Sequence, residues 1–178
     1  MTFRPLSFLR RFRKDDTGNA TIEFALAVPL VFFFFFSSVE LGMRQIYQMW
    51  LDRGLDMTVR LVRLNTGANY THEDLKGMIC EFSGNLADCN ETLRLEMKPL
   101  AQRSFGPLPT EADCVDVSQP VTPLRQFVHG ASHQLMLLRT CYKYKPVFPT
   151  AGLGADFDKD GSGRVIMISE TVFVQEPN

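Results

Sequence analysis

Along this chain the apolar positions change their rhythm twice, and each change marks an element. From Ile22 to Met43 the run is apolar all round, with Glu23 and Glu40 as its only charges, one near each end. Those 22 residues make about 33 Å of helix at ~1.5 Å per residue, enough to cross a hydrocarbon core of ~30 Å. From Leu41 the pattern becomes amphipathic. Leu41, Ile46, Met49, Trp50, Leu55, Val59, Val62 and Leu64 recur at helical spacing, with Arg44, Gln48, Asp52, Arg53, Asp56, Arg60 and Arg63 between them. The spacing predicts a single helix that leaves the membrane without a break and stops at Asn65-Thr66-Gly67. Pro29, inside the apolar half, removes a backbone hydrogen bond and favours a kink there.

A second, short helix is predicted to start at Thr71, with Thr71 as N-cap and Asp74 three residues on, and to end near Phe82-Ser83-Gly84. Beyond it the period drops toward two. Thr92 to Lys98, parts of Cys114 to Val117, Gln134 to Val147 and Val165 to Gln175 read as strands. Proline and glycine clusters at 105–109, 120–123 and 149–154 read as loops. The expected fold class is α+β. One long membrane-spanning helix continues as an amphipathic helix whose apolar stripe packs on a small antiparallel sheet of three or four strands.

Charge fixes the orientation. The net charge is −1, and the clustered basic residues Arg4, Arg10, Arg11, Arg13 and Lys14 all precede the apolar run. Lysine and arginine beside a membrane segment stay in the cytoplasm, so the N-terminus is expected inside and the bulk of the chain outside. The near-zero net charge argues against a nucleic-acid binder, which needs a basic patch. An ordinary signal peptide would have a shorter apolar core and a small-x-small cleavage site. Ser37-Ser38-Val39-Glu40-Leu41-Gly42 offers none, so the segment is expected to be retained. Three regions result: a basic leader at 1–18, a transmembrane helix at 19–43 and an α+β domain at 44–178.

Four cysteines, Cys80, Cys89, Cys114 and Cys141, all lie after the membrane segment. An even number outside the cytoplasm points to two disulfides with three connectivities open. We expect Cys80 with Cys89 and Cys114 with Cys141, since each pairing closes a modest loop. Zinc is disfavoured because no C-x-x-C pair occurs. Asp156, Asp158 and Asp160 precede Gly161 as in the opening of a calcium loop, in which alternating acids converge on a hard cation. The twelfth position is Met167 rather than glutamate, so the bidentate ligand is missing. A turn built from aspartate and glycine is the competing reading, and no other cofactor is expected. His129 and His133 lack the acid of a metalloprotease helix and read as loop residues. With no G-x-S-x-G or phosphate-binding loop present, an enzyme is not expected.

The junction Gly18-Asn19-Ala20-Thr21-Ile22-Glu23-Phe24-Ala25-Leu26, behind a basic leader, resembles the N-terminus of type IV prepilins and in particular the TadE-like family. That family comprises minor pilins or pseudopilins of the tight-adherence (Tad, or Flp) pilus. The tail Thr171-Val172-Phe173-Val174-Gln175-Glu176-Pro177 is similar to the family's C-terminal strand. The resemblance implies a pilin-like fold and cleavage between Gly18 and Asn19 by a membrane prepilin peptidase. It also implies an assembly role for Glu23, which would pair with a new N-terminal amine. An unpaired carboxylate in low dielectric is penalised, so such pairing would fix the register of stacked helices. The implied location is the bacterial inner membrane with the domain in the periplasm. The implied partners are other pilus subunits and Tad assembly proteins, with no small-molecule substrate. The large soluble region and the early Pro29 depart from major pilins and favour a minor subunit, one that initiates, regulates or tips an adhesion pilus. A single-pass, membrane-anchored periplasmic binding or sensor module is the alternative.

Overall fold

The structure is a computed structural model that describes residues 19–65, 68–100, 112–114 and 127–177. Helix α1 (Asn19–Leu64) runs 46 residues and continues through Pro29, about 69 Å at ~1.5 Å per residue. Its first half presents apolar side chains on every side, as a helix facing lipid does. Ile22, Phe24, Leu26, Leu30 and Val31 are all exposed within the chain. Its second half buries a stripe of Leu51, Leu55, Thr58, Val59 and Val62, spaced one helical turn apart.

Helix α2 (His72–Phe82) begins on the capping box predicted for it. The Thr71 hydroxyl accepts from the Asp74 N–H at 3.2 Å, and Asp74 Oδ2 accepts from the Thr71 N–H at 2.8 Å. These two bonds satisfy donors that a helix start otherwise leaves open. The Thr71 hydroxyl, donating to Asp74 Oδ2 at 2.7 Å, and then the Thr71 N–H hold the Asp74 carboxyl below its ordinary pKa. Leu75 and Ile79 face α1 and the core.

α2 crosses α1 at Gly54. A β-carbon there would lie against the Ser83 hydroxyl and 2.6 Å from the Ile79 carbonyl oxygen. Glycine in an open helix costs ~1 kcal/mol relative to alanine. Here the missing side chain is what lets the two backbones approach. Gly54→Ala should therefore destabilise the domain, by about 1–3 kcal/mol through overpacking, and lower its melting temperature. A raised melting temperature would mean that the helices separate freely.

A one-turn helix α3 (Cys89–Thr92) leads into strand β1 (Arg94–Pro99), followed by β2 (Leu135–Tyr144), a one-turn helix α4 (Leu153–Asp156) and β3 (Val165–Val174). The three strands form an antiparallel sheet in the order β1-β2-β3. Arg94 pairs with Cys141 and Cys141 with Ile168, which fixes the faces. Leu95, Met97, Met136, Leu138, Tyr142, Tyr144, Val165, Met167 and Phe173 face inward and join the α1 and α2 stripes in one core. At the edge of β3, Gln48 Nε2 of α1 donates to the Ile168 carbonyl at 3.1 Å.

The fold is thus the expected α+β arrangement: a long apolar N-terminal helix and a small antiparallel sheet. The strand ends differ by at most three residues from the predicted ones, and 115–117 of the Cys114–Val117 segment lie outside the described residues. The opposite sheet face is less ordinary, because its charged residues are buried on β1 and β2. Arg94, Glu96, Arg139 and Lys143 are each less than a tenth exposed. Glu96 takes Lys98 at 3.0 Å, and Arg139 Nε takes Glu170 at 3.0 Å across to β3. Arg94 pairs with Asp113 at 3.0 Å. Burial without such partners would be prohibitive.

Both disulfides are present, as Cys80–Cys89 and Cys114–Cys141, with Cα separations of 5.8 and 5.2 Å. The first ties α2 to α3. The second ties the segment 112–114 to the outer face of β2.

Candidate functional site

The residues singled out for function lie at the two ends of the apolar half of α1. At the inner end, Gly18 is outside the described residues and Asn19 opens the helix. The first turn holds no acid, so Glu23 sits beyond the reach of an N-terminal dipole contact, which fades within the first turn. Glu23 is exposed, between Ile22 and Phe24 at 61% and 69% exposure. Among the described residues it has no hydrogen-bond or ion-pair partner. A carboxylate on an apolar shaft without an internal partner is costly in lipid, and it is chemically suited to receive a cation from outside the chain. Phe32 to Phe35, about two turns further, are also exposed, so the phenylalanine run presents aromatic bulk outward.

At the outer end the structure shows a feature that the sequence reading missed. Ser37 and Glu40 are buried, Glu40 completely, although they belong to the predicted span. The loop between β2 and α4 covers them. Glu40 Oε2 accepts from the Phe148 N–H at 2.9 Å, and Ser37 Oγ accepts from the Leu153 N–H at 3.2 Å. The Phe148 ring lies 4.7 Å from that of Phe36. Gly154 lets the loop lie flush, since a β-carbon there would meet the Phe148 carbonyl and come within 3.2 Å of Glu40 Oε2. One turn up, the Arg44 guanidinium sits 5.2 Å from the centre of the Phe157 ring, a cation–π contact. The signal available in sequence was the pair Ser37 and Glu40 on one helix face, but a backbone donor from a residue 108 positions away leaves no trace in local pattern.

The acidic loop resolves as a turn. Asp160 Oδ1 accepts from the Ser162 N–H and hydroxyl at 2.9 and 2.6 Å and from the Arg164 N–H at 3.0 Å. Its Oδ2 takes Lys143 Nζ at 2.8 Å. With both oxygens engaged, Asp160 does not join Asp156 and Asp158. No cluster of three histidine, cysteine, aspartate or glutamate side chains fit for a metal occurs among the described residues. In this arrangement side-chain and backbone donors occupy both Asp160 oxygens, as in the turn weighed against a calcium loop. His129 and His133 do not act together either. His129 Nε2 lies 2.7 Å from the Tyr70 carbonyl oxygen, and His133 sits at a turn with φ 62°.

α1 is the one described helix long and apolar enough to cross a membrane, and its length and composition are compatible with a single-pass anchor. Residues 18–60 match the family model described as TadE-like protein. No curated protein and no solved structure matches the chain. The matched stretch begins at the glycine ahead of α1 and ends about one turn before α1 does, leaving α2 and the sheet outside it. From Gly18 through nearly the whole of α1, the chain is similar to TadE-like proteins.

Proposed function

We propose that the chain is a non-enzymatic minor pilin or pseudopilin that contributes to assembly of a Tad pilus. It is anchored in the inner membrane by the apolar half of α1, with the leader 1–18 in the cytoplasm and the α+β domain in the periplasm. The observation that carries this reading is the placement of Gly18 and Glu23 around the start of a helix that runs unbroken into the domain core, within a TadE-like match. Prepilin peptidase cuts between Gly18 and Asn19. The new amine at Asn19, on this subunit or its neighbour, then becomes the cation that Glu23 lacks within its own chain. Neutralising both charges in lipid sets the axial register of the packed helices. Two disulfides suit the oxidising side of the membrane.

The test is the mature N-terminus, read by mass spectrometry of membrane fractions from strains with and without the peptidase. A chain starting at Asn19 only where the peptidase is present is the expected result. In the processed background, Glu23→Gln should leave membrane insertion intact while reducing recovery of the subunit with its pilus partners. A leader retained in both strains would remove the pilin reading. It would favour an anchored periplasmic binding or sensor module instead.

A further inference from the structure

We propose that the loop from Pro146 to Ala155 is a second membrane contact, an uncharged segment that sinks into the outer leaflet beside α1. The inference rests on the reading of α1 as a membrane-spanning helix. The first support is reach. β2 ends with Tyr144 beside Tyr47, ring centres 5.4 Å apart, whereas the loop places Phe148 against Phe36. Tyr47 and Phe36 are 11 positions apart (47 − 36) on one continuous helix, so the loop descends about 16 Å along α1 at ~1.5 Å per residue.

That depth lies within the span. A hydrocarbon core of ~30 Å takes about 20 helical residues. Counted from Asn19 the core ends near Ser38, and counted from Glu23 it ends near Gly42. On either count Phe36 and Ser37 stand at or inside the outer boundary, and so does the loop packed on them.

The second support is composition. Pro146-Val147-Phe148-Pro149-Thr150-Ala151-Gly152-Leu153-Gly154-Ala155 carries no charge. Lys145, exposed, stands at its upper edge, where a lysine reaches the headgroups while its stem lies along apolar surface. Val147 is exposed with no other segment of the described chain covering it.

The third support is how the polar backbone is satisfied. Non-helical backbone is tolerated at membrane depth only where its groups are bonded within protein. Two of the ten residues are prolines, with no N–H to satisfy. Phe148 and Leu153 donate to Glu40 and Ser37. Ala151 and Ala155 donate to the Phe148 and Gly152 carbonyls at 3.4 and 3.2 Å. Four of the loop's eight N–H groups are bonded in this way, two of them to Glu40 and Ser37 of the helix.

Depth-dependent fluorescence quenching tests this in the full chain. Trp50 is the only tryptophan, so Trp50→Phe gives a silent background. Val147→Trp, Phe148→Trp and, as a control in the shaft, Phe33→Trp are each reconstituted in phosphatidylethanolamine/phosphatidylglycerol vesicles. The lipids carry bromines either near the headgroup or near the acyl end. The loop probes should lose roughly half of their emission to the shallow bromines, as expected for side chains ~5–10 Å into the headgroup boundary, and little to the deep ones. Phe33→Trp should show the reverse. Loop probes that no lipid quenches, beside a quenched shaft probe, would overturn the loop contact and leave the anchor standing. No quenching at any of the three would overturn the anchor reading and the proposal with it. Val147→Trp alters an exposed position, so it remains informative should Phe148→Trp disturb the packing against Phe36.

Discussion

Replacing Asp160 with alanine lowers the unfolding free energy of the soluble domain by about 3–5 kcal/mol at neutral pH, the usual cost of removing one partner of a buried ion pair. The Lys143 side chain is only 5% exposed and that of Asp160 only 9%, so the ammonium left behind has no easy route to water. The same substitution removes the acceptor for two N–H groups and a hydroxyl that shape the turn before β3. Asp160→Asn keeps an oxygen for that turn and loses only the charge, so it should cost distinctly less.

The effect carries a pH signature. Burial alone would raise the Asp160 pKa, but bonds from Lys143, from the Ser162 hydroxyl and from the Arg164 and Ser162 N–H groups outweigh it and hold the carboxyl well below the usual range. A depressed folded-state pKa contributes stability that is complete above the unfolded value of ~3.9 and is lost as pH falls below it toward the folded value. The gap between wild type and Asp160→Ala should therefore stay flat from neutral pH down to about 5 and shrink below about 4. Urea unfolding of the detergent-solubilised chain, followed by Trp50 emission, reads both quantities. A gap that does not narrow in acid would mean that the turn, rather than the charge, is what the substitution removes.

Removing Cys114 and Cys141 together as serines should cost about 3.6 kcal/mol on chain-entropy grounds, against about 2.6 for Cys80 and Cys89. The sequence separations of 27 and 9 residues set that order. The true difference should be larger. The longer disulfide also fixes the segment that brings Asp113 onto Arg94, and freeing it exposes a cation that the sheet now buries. Unfolding midpoints of the two double variants decide the matter. A Cys80/Cys89 variant less stable than the Cys114/Cys141 one would reverse the assignment of which staple holds the outer face.

The elements with strong local rules were legible in the sequence. α1 showed itself through two different apolar patterns that share one helical period. α2 followed from Thr71 and Asp74, because a capping box is written within four residues. β3 followed from its β-branched run of Val165, Ile166, Ile168, Thr171, Val172 and Val174; the alternation in which Val165, Met167 and Phe173 are buried and Ile166, Ile168, Val172 and Val174 exposed emerged only in the structure. β2 is buried along both faces, so its charges Arg139 and Lys143 meet partners rather than solvent. Their partners Glu170 and Asp160 are 31 and 17 residues away, a distance over which pattern says nothing.

The candidate site divides in the same way. Gly18 and Glu23 could be marked because a lone carboxylate in an apolar run stands out against its neighbours. Glu40 looked like the span's outer boundary, yet its role as acceptor for the Phe148 backbone depends on a loop from the far end of the chain. The three aspartates imitated a cation loop because both a cation and a tight turn call for acids beside glycine. The donors that Lys143, Ser162 and Arg164 turn toward Asp160 separate the two.

The unbroken course of α1 has a mechanical consequence. Between the bilayer and the core there is no linker about which the domain could swivel, so the lean of the shaft and the attitude of the sheet are a single variable. An apolar helix longer than its bilayer accommodates by tilting, and here any tilt turns the β3 face with its exposed isoleucines and valines by the same angle. With α1 as a membrane span, membrane thickness thus sets the bearing of a surface outside the bilayer, as a mast sets the bearing of whatever is fixed to its head.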